Sequence, residues 1–104
     1  MAVTSKTLAR TSAATSSTTL YTVPNTSTTT IVTNVAITNT GTSAATATIN
    51  LDGVAILSGV SVSANQTYVI DLKQVLDANA TPKTISGLAS ATTIRFHISG
   101  VEIV

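Results

Sequence analysis

His97 is the only histidine, and it stands between Arg95 and Ser99 in a stretch that alternates apolar and polar residues. On that alternation its imidazole faces solvent. A general base or a metal ligand needs partners, and a lone imidazole without cysteine cannot build a closed zinc site. The four carboxylates, Asp52, Asp71, Asp77 and Glu102, are scattered along the chain. Glycoside chemistry would need two of them about 5–10 Å apart in a cleft. Gly59-Val60-Ser61-Val62 is half of a nucleophile elbow, set in a strand rather than at a strand-to-helix turn. No glycine-rich phosphate loop is present. A carbohydrate platform would rest on Tyr21 or Tyr68, and Tyr68 is expected in the core. These residues predict no enzyme, no catalytic residue, no metal ligand set and no bound cofactor.

The stretches between these residues read as strands. Thr29 to Asp52 is the organising segment: Ile31, Thr33, Val35 and Ile37 alternate with Val32, Asn34, Ala36 and Thr38, and Ala45, Ala47, Ile49 and Leu51 alternate with Thr46, Thr48 and Asn50. Period-two alternation gives one dry and one wet strand face. Asn39-Thr40-Gly41-Thr42 between the halves predicts a β-hairpin turn. Thr18 to Val23 is a strand ended by Pro24. Asp52-Gly53 is a tight turn, Val54 to Val62 a strand bulged at Ser58-Gly59, and Thr67 to Leu72 another strand. Lys73 to Ala80 predicts a helical turn or structured loop before Pro82. Ile94, Phe96 and Ile98 face inward on the last clear strand, and a bulge at Gly100 is expected to keep Val101 and Ile103 inward too. Short strands at about ten-residue spacing indicate an all-β antiparallel sandwich, of jelly-roll or immunoglobulin-like order.

The chain has 104 residues, 9% charged and 3% aromatic, with a net charge of +1. About a third of it is Ser or Thr, which suits pleated surfaces. So little charge argues for neither nucleic acid nor an acidic partner. No apolar run approaches the roughly 20 residues of a membrane-spanning helix. The first residues lead into no apolar signal segment. Residues 1–17 are of low complexity and predict either a disordered tail or an arm that becomes ordered on another subunit, with Leu8 flanked by Lys6 and Arg10 as its anchor; residues 18–104 are expected to form the sandwich. Asn25, Asn65 and Asn79 open Asn-x-Ser/Thr patterns that a Thr-rich chain yields by chance. The core candidates are mostly Ala, Val and Ile. A core so thin gains from a partner surface, and Val32, Leu57 and Val69 are the apolar residues expected on outer faces.

Leu20-Tyr21-Thr22-Val23-Pro24, then Thr30 to Val35 and Asn39-Thr40-Gly41, resembles the opening of small structural proteins of tailed-phage virions. Ile56 to Val62, Tyr68 to Leu72 and Phe96 to Ile103 resemble the rest of that group, so the likeness spans residues 18–104. It implies a β-sandwich on the particle, made in the host cytoplasm: a head decoration (cement) protein, or a tail or fibre component that recognises a receptor or glycan. It also implies the major capsid protein or other virion proteins as partners, and a homotrimer. It carries over no active-site residue. Lys6, Leu8, Arg10, Val32, Leu57 and Val69 are the expected subunit contacts. The segment from Thr38 to Ala45 further resembles immunoglobulin-like domains of bacterial surface proteins.

Overall fold

Alternation of small apolar residues with Thr and Ser resolves into eight strands in a computed structural model that describes residues 2–78 and 80–104. They are β1 (Val3–Ser12), β2 (Thr18–Thr22), β3 (Thr29–Asn39), β4 (Ala45–Leu51), β5 (Val54–Val62), β6 (Thr67–Leu76), β7 (Thr84–Ala89) and β8 (Ile94–Ile103). No helix occurs among the described residues. The strands form two four-stranded sheets, ordered β1-β8-β3-β6 and β2-β7-β4-β5, and every neighbouring pair is antiparallel.

That order decides between the two sandwich topologies. β1 pairs β8, β2 pairs β7, β3 pairs β6 and β4 pairs β5, as in one long hairpin, and the hairpin then rolls so that β8 meets β3 and β7 meets β4. This is the jelly roll. An immunoglobulin order would put the first two strands side by side in one sheet; here they lie in different sheets. Val35, Ile37, Ile49, Ile85, Ile94, Phe96 and Ile98 fill the space between the sheets.

The organising segment is therefore not a hairpin. β3 and β4 belong to different sheets, and Thr40–Ala44 carries the chain across the sandwich. Asn39 is the reason. Its side chain is buried and uses its full hydrogen-bonding capacity. Nδ2 donates to the carbonyls of Ser43 (2.8 Å) and Val62 (3.0 Å), while Oδ1 accepts from Gly41 N (2.9 Å) and Thr93 Oγ1 (3.1 Å). An Asn that looks like a turn former is a tie among three connections. By contrast Asp52-Gly53 does form a two-residue hairpin, with φ of 53° and 80°, the left-handed values that such a turn requires.

Gly100 controls the first sheet. Inward and outward residues alternate without interruption along β8, so Gly100 and Glu102 point in while Val101 and Ile103 are half-buried on the outer side. The bulge expected at Gly100 lies instead in both neighbouring strands. β1 places an extra residue, Leu8, between the partners of Ser99 and Ile98; β3 places an extra residue, Thr33, between the partners of Gly100 and Ser99. A Cβ at Gly100 would collide with the carbonyl oxygen of Ile31 and lie 2.8 Å from Leu8 Cδ1. The bulge at Thr33 inverts the phase of β3, which brings Val32, expected on the outer face, into the core at 0% exposure.

Other strands show the same local logic. Ser58 and Gly59 bulge opposite Thr48, as their sequence indicates; Gly59 has φ of 60° and its N–H donates to Thr48 Oγ1 at 3.0 Å. Beyond that bulge Leu57 pairs with Ile49 and is buried, which corrects its expected outward placement. Lys73 to Leu76 form no helical turn: β6 runs on to Leu76, with Gln74, Val75 and Leu76 paired to Val32, Ile31 and Thr30. Tyr68 is exposed at the sheet edge rather than in the core. In place of an arm, Val3–Ser12 pairs with β8, and Leu8 and Ala9 are core residues. The Asn79 pattern and the end of the expected helical turn touch Asn79, which lies outside the described residues, as does Met1 of the expected arm.

Replacing Gly100 with Ala should destabilise the fold at or beyond the top of the ~1–3 kcal/mol range for overpacking, because a backbone carbonyl cannot rotate away. Gly53→Ala meets open space and should cost only the ~1–2 kcal/mol of a left-handed alanine. Urea denaturation of the two variants would check both the order and the sizes.

Candidate functional site

Three features stand apart from plain core packing: a polar cluster between the sheets, a hydroxyl-lined groove, and an apolar rim. The cluster is built on Glu102, which β8's alternation turns inward to 9% exposure. Its Oε2 accepts from the Tyr21 hydroxyl at 2.5 Å and its Oε1 from Lys6 Nζ at 3.2 Å. Thr30 Oγ1 lies 2.8 Å from the same tyrosine oxygen. The Tyr21 proton goes to the carboxylate, which can only accept, so Thr30 donates to Tyr21. Tyr21 belongs to β2 and the other three to β1, β3 and β8, so the cluster ties the two sheets together.

The environment separates the two acids. The Tyr21 hydrogen bond holds the Glu102 carboxyl below its usual range; burial opposes this, and Lys6 adds to it through its hydrogen bond and charge. Burial first, then the bond to Glu102, pushes the Tyr21 phenol up to about 12, with Thr30 acting the other way. Asp52 is ion-paired with Lys83 at 3.1 Å, and Asp71 accepts from Asn34 Nδ2 at 2.8 Å. Among the described residues no group of three His, Cys, Asp or Glu side chains is placed to hold a metal ion.

The groove lies on the outer side of the first sheet, over the bulges. Ser5, Lys6, Thr7, Thr33, Ser99, Gly100 and Val101 line about 380 Å³. The apolar rim follows β5 and β6, the terminal strands of their sheets. Val54 is 71% exposed, Val69 58% and Val75 51%, with Ile56 and Tyr68 beside them. The start of β5 and the end of β6 share a cleft of about 270 Å³, at whose rim Lys83 pairs with Asp52.

The residues expected to contact another subunit are thus dispersed. Lys6 is engaged with Glu102, Leu8, Val32 and Leu57 are in the core, Arg10 is exposed opposite His97, and Val69 lies on the rim. Sequence reasoning missed the role of Glu102. The signal was present: Ile94, Phe96 and Ile98 face inward at even positions, and Glu102 continues that series.

No family model matches the sequence, and no curated protein matches it. Solved structures do. Chains in structures of infectious bursal disease virus, from the Gx strain, the Gt strain and the T13 viral particle, superpose with TM-scores of 0.53, 0.55 and 0.52 at 15%, 14% and 12% identity. The matches cover 97%, 98% and 97% of this chain, but it spans only 30%, 33% and 30% of those chains. At such identities the likeness is one of fold.

Tyr21→Phe removes the hydroxyl bound to Glu102 and should lower stability by roughly 1–3 kcal/mol, measured by denaturant titration. The proton linkage has a definite sign. Folded Glu102 binds its proton less readily than the unfolded chain does, so its contribution is full above about pH 4.5 and falls as acid titrates the native carboxyl below that value. Tyr21 works from the other side: its contribution is full below pH 10 and is lost as pH rises towards 12. Thermal melts of the wild type and of Glu102→Gln across the acid range should converge as pH falls. Parallel curves would place the linkage elsewhere.

Proposed function

We propose that this protein is a structural component of a virus particle, specifically a head decoration protein that binds a shell built by a major capsid protein. The observation that carries the proposal is the jelly roll, matched over nearly the whole chain by chains from virus-particle structures. The tailed-phage resemblance of residues 18–104 adds the decoration role. A jelly roll suits the task because its sheets form a stiff block whose rims and loops remain free for contacts. The exposed valines of the β5–β6 rim supply apolar surface of the kind that contacts use. The reading is structural rather than catalytic.

One observation favours a second reading, a tail, fibre or cell-surface module that recognises a glycan. The groove lined by Ser5, Thr7, Thr33 and Ser99 presents hydroxyls, which suits a sugar better than an apolar ligand.

Gold-labelled antibody on purified particles should mark heads, and adding the recombinant protein to heads that lack it should raise their thermal stability. Label confined to tails, together with binding on a glycan array, would replace the decoration role with the second reading. A protein that is absent from particles and binds nothing on the array would overturn both.

A further inference from the structure

The rim has a feature that the virion reading does not use. β6 is the last strand of its sheet, so one backbone edge has no partner within the chain. Odd-numbered residues of β6 lie on the outer side: Val69 is opposite Ala36, Asp71 opposite Asn34 and Val75 opposite Ile31. Lys73 stands exposed between them and has no ion-pair partner among the described residues. An open strand edge carrying large exposed apolar residues is a template for another strand.

We propose that the occupant of this edge is the β6 strand of a second copy, paired antiparallel about a twofold axis at Leu72. The charges and valines of β6 select both the partner and the register. With Leu72 opposite Leu72, Asp71 of each copy faces Lys73 of the other, and Val69 faces Val75. A shift of one residue would set outer side chains of one copy beside inner ones of the other. The next permitted register on one side sets Asp71 against Asp71, and on the other Lys73 against Lys73. Like charges directly opposite are unfavourable, so one register stands out. An isologous contact of this kind closes on itself and stops at two copies.

Local structure agrees with the axis position. Leu72 and Lys73 are the two residues that β6 sets against the single residue Thr33, so the strand is irregular at its centre. A twofold axis there gives both strands the same bend. Val54 and Ile56 on β5 lie beside Val75 across the shared cleft, which extends the contact beyond one pair of strands. The result is one continuous eight-stranded sheet with a sandwich on either side of the axis.

The proposal stands independently of the virion reading, and its test needs no particle. Sedimentation velocity on the full chain, from low to high micromolar concentration, should show a monomer–dimer equilibrium. Lys73→Asp alone sets acid against acid, and Asp71→Lys alone sets amine against amine. Each should raise the dissociation constant at least about ten-fold while the circular dichroism spectrum is unchanged. The double variant, Asp71→Lys with Lys73→Asp, restores opposite charges in this register only and should recover the dimer. A wild type that stays monomeric, a trimer, or single variants that dimerise as the wild type does would each overturn the proposal. Failure of the double variant to recover while both single variants dissociate would overturn the register and with it the twofold at Leu72.

Discussion

The first sheet depends on a steric constraint at Gly100. The carbonyl of Ile31 and the side chain of Leu8 occupy the space that any Cβ there would need. The flanking strands β1 and β3 accommodate this approach by each inserting one residue beside it. A one-residue insertion in a strand inverts the faces of everything beyond it. Val32 therefore enters the core, Ile31 turns outward, and β8 keeps its alternation through to Glu102. β6 absorbs a further extra residue against β3, so the irregularity grows towards the sheet edge.

That alternation places a carboxylate between the sheets, where an unpaired charge would be costly. The fold answers with donors from both sheets: Tyr21 from one, Lys6 from the other, with Thr30 completing the tyrosine's needs. Asn39 performs the matching task among the connections that follow β3, β5 and β7. A sandwich whose core is mainly Ala, Val and Ile has modest apolar burial per residue. Satisfied polar groups add specificity instead, since each is directional and each alternative packing would leave one unmet. No buried side-chain nitrogen or oxygen among the described residues lacks a partner.

Function follows from what the two sheets leave over. Their inner faces are consumed by the core, so contacts with other molecules fall to edges, loops and outer faces. The outer face of the first sheet is rich in hydroxyls, while the β5–β6 side is apolar.

The sequence by itself determined the all-β class, the Asp52-Gly53 turn, the bulge at Ser58-Gly59 and the inward series Ile94, Phe96, Ile98. Each of these is local: alternation, a positive φ or a glycine within a few residues decides it. Tertiary structure decided the rest. Whether Asn39 turns a hairpin or crosses between sheets depends on acceptors at Ser43 and Val62 and a donor at Thr93, the last two far along the chain. Whether Val32 faces in or out depends on what Gly100 meets across the strand pair. Long-range pairing sets the phase of a strand, and phase sets which of its two apolar series is buried. For the same reason Glu102, acidic and near the end of the chain, belongs to the interior, while Tyr68 and Val69 remain at an edge.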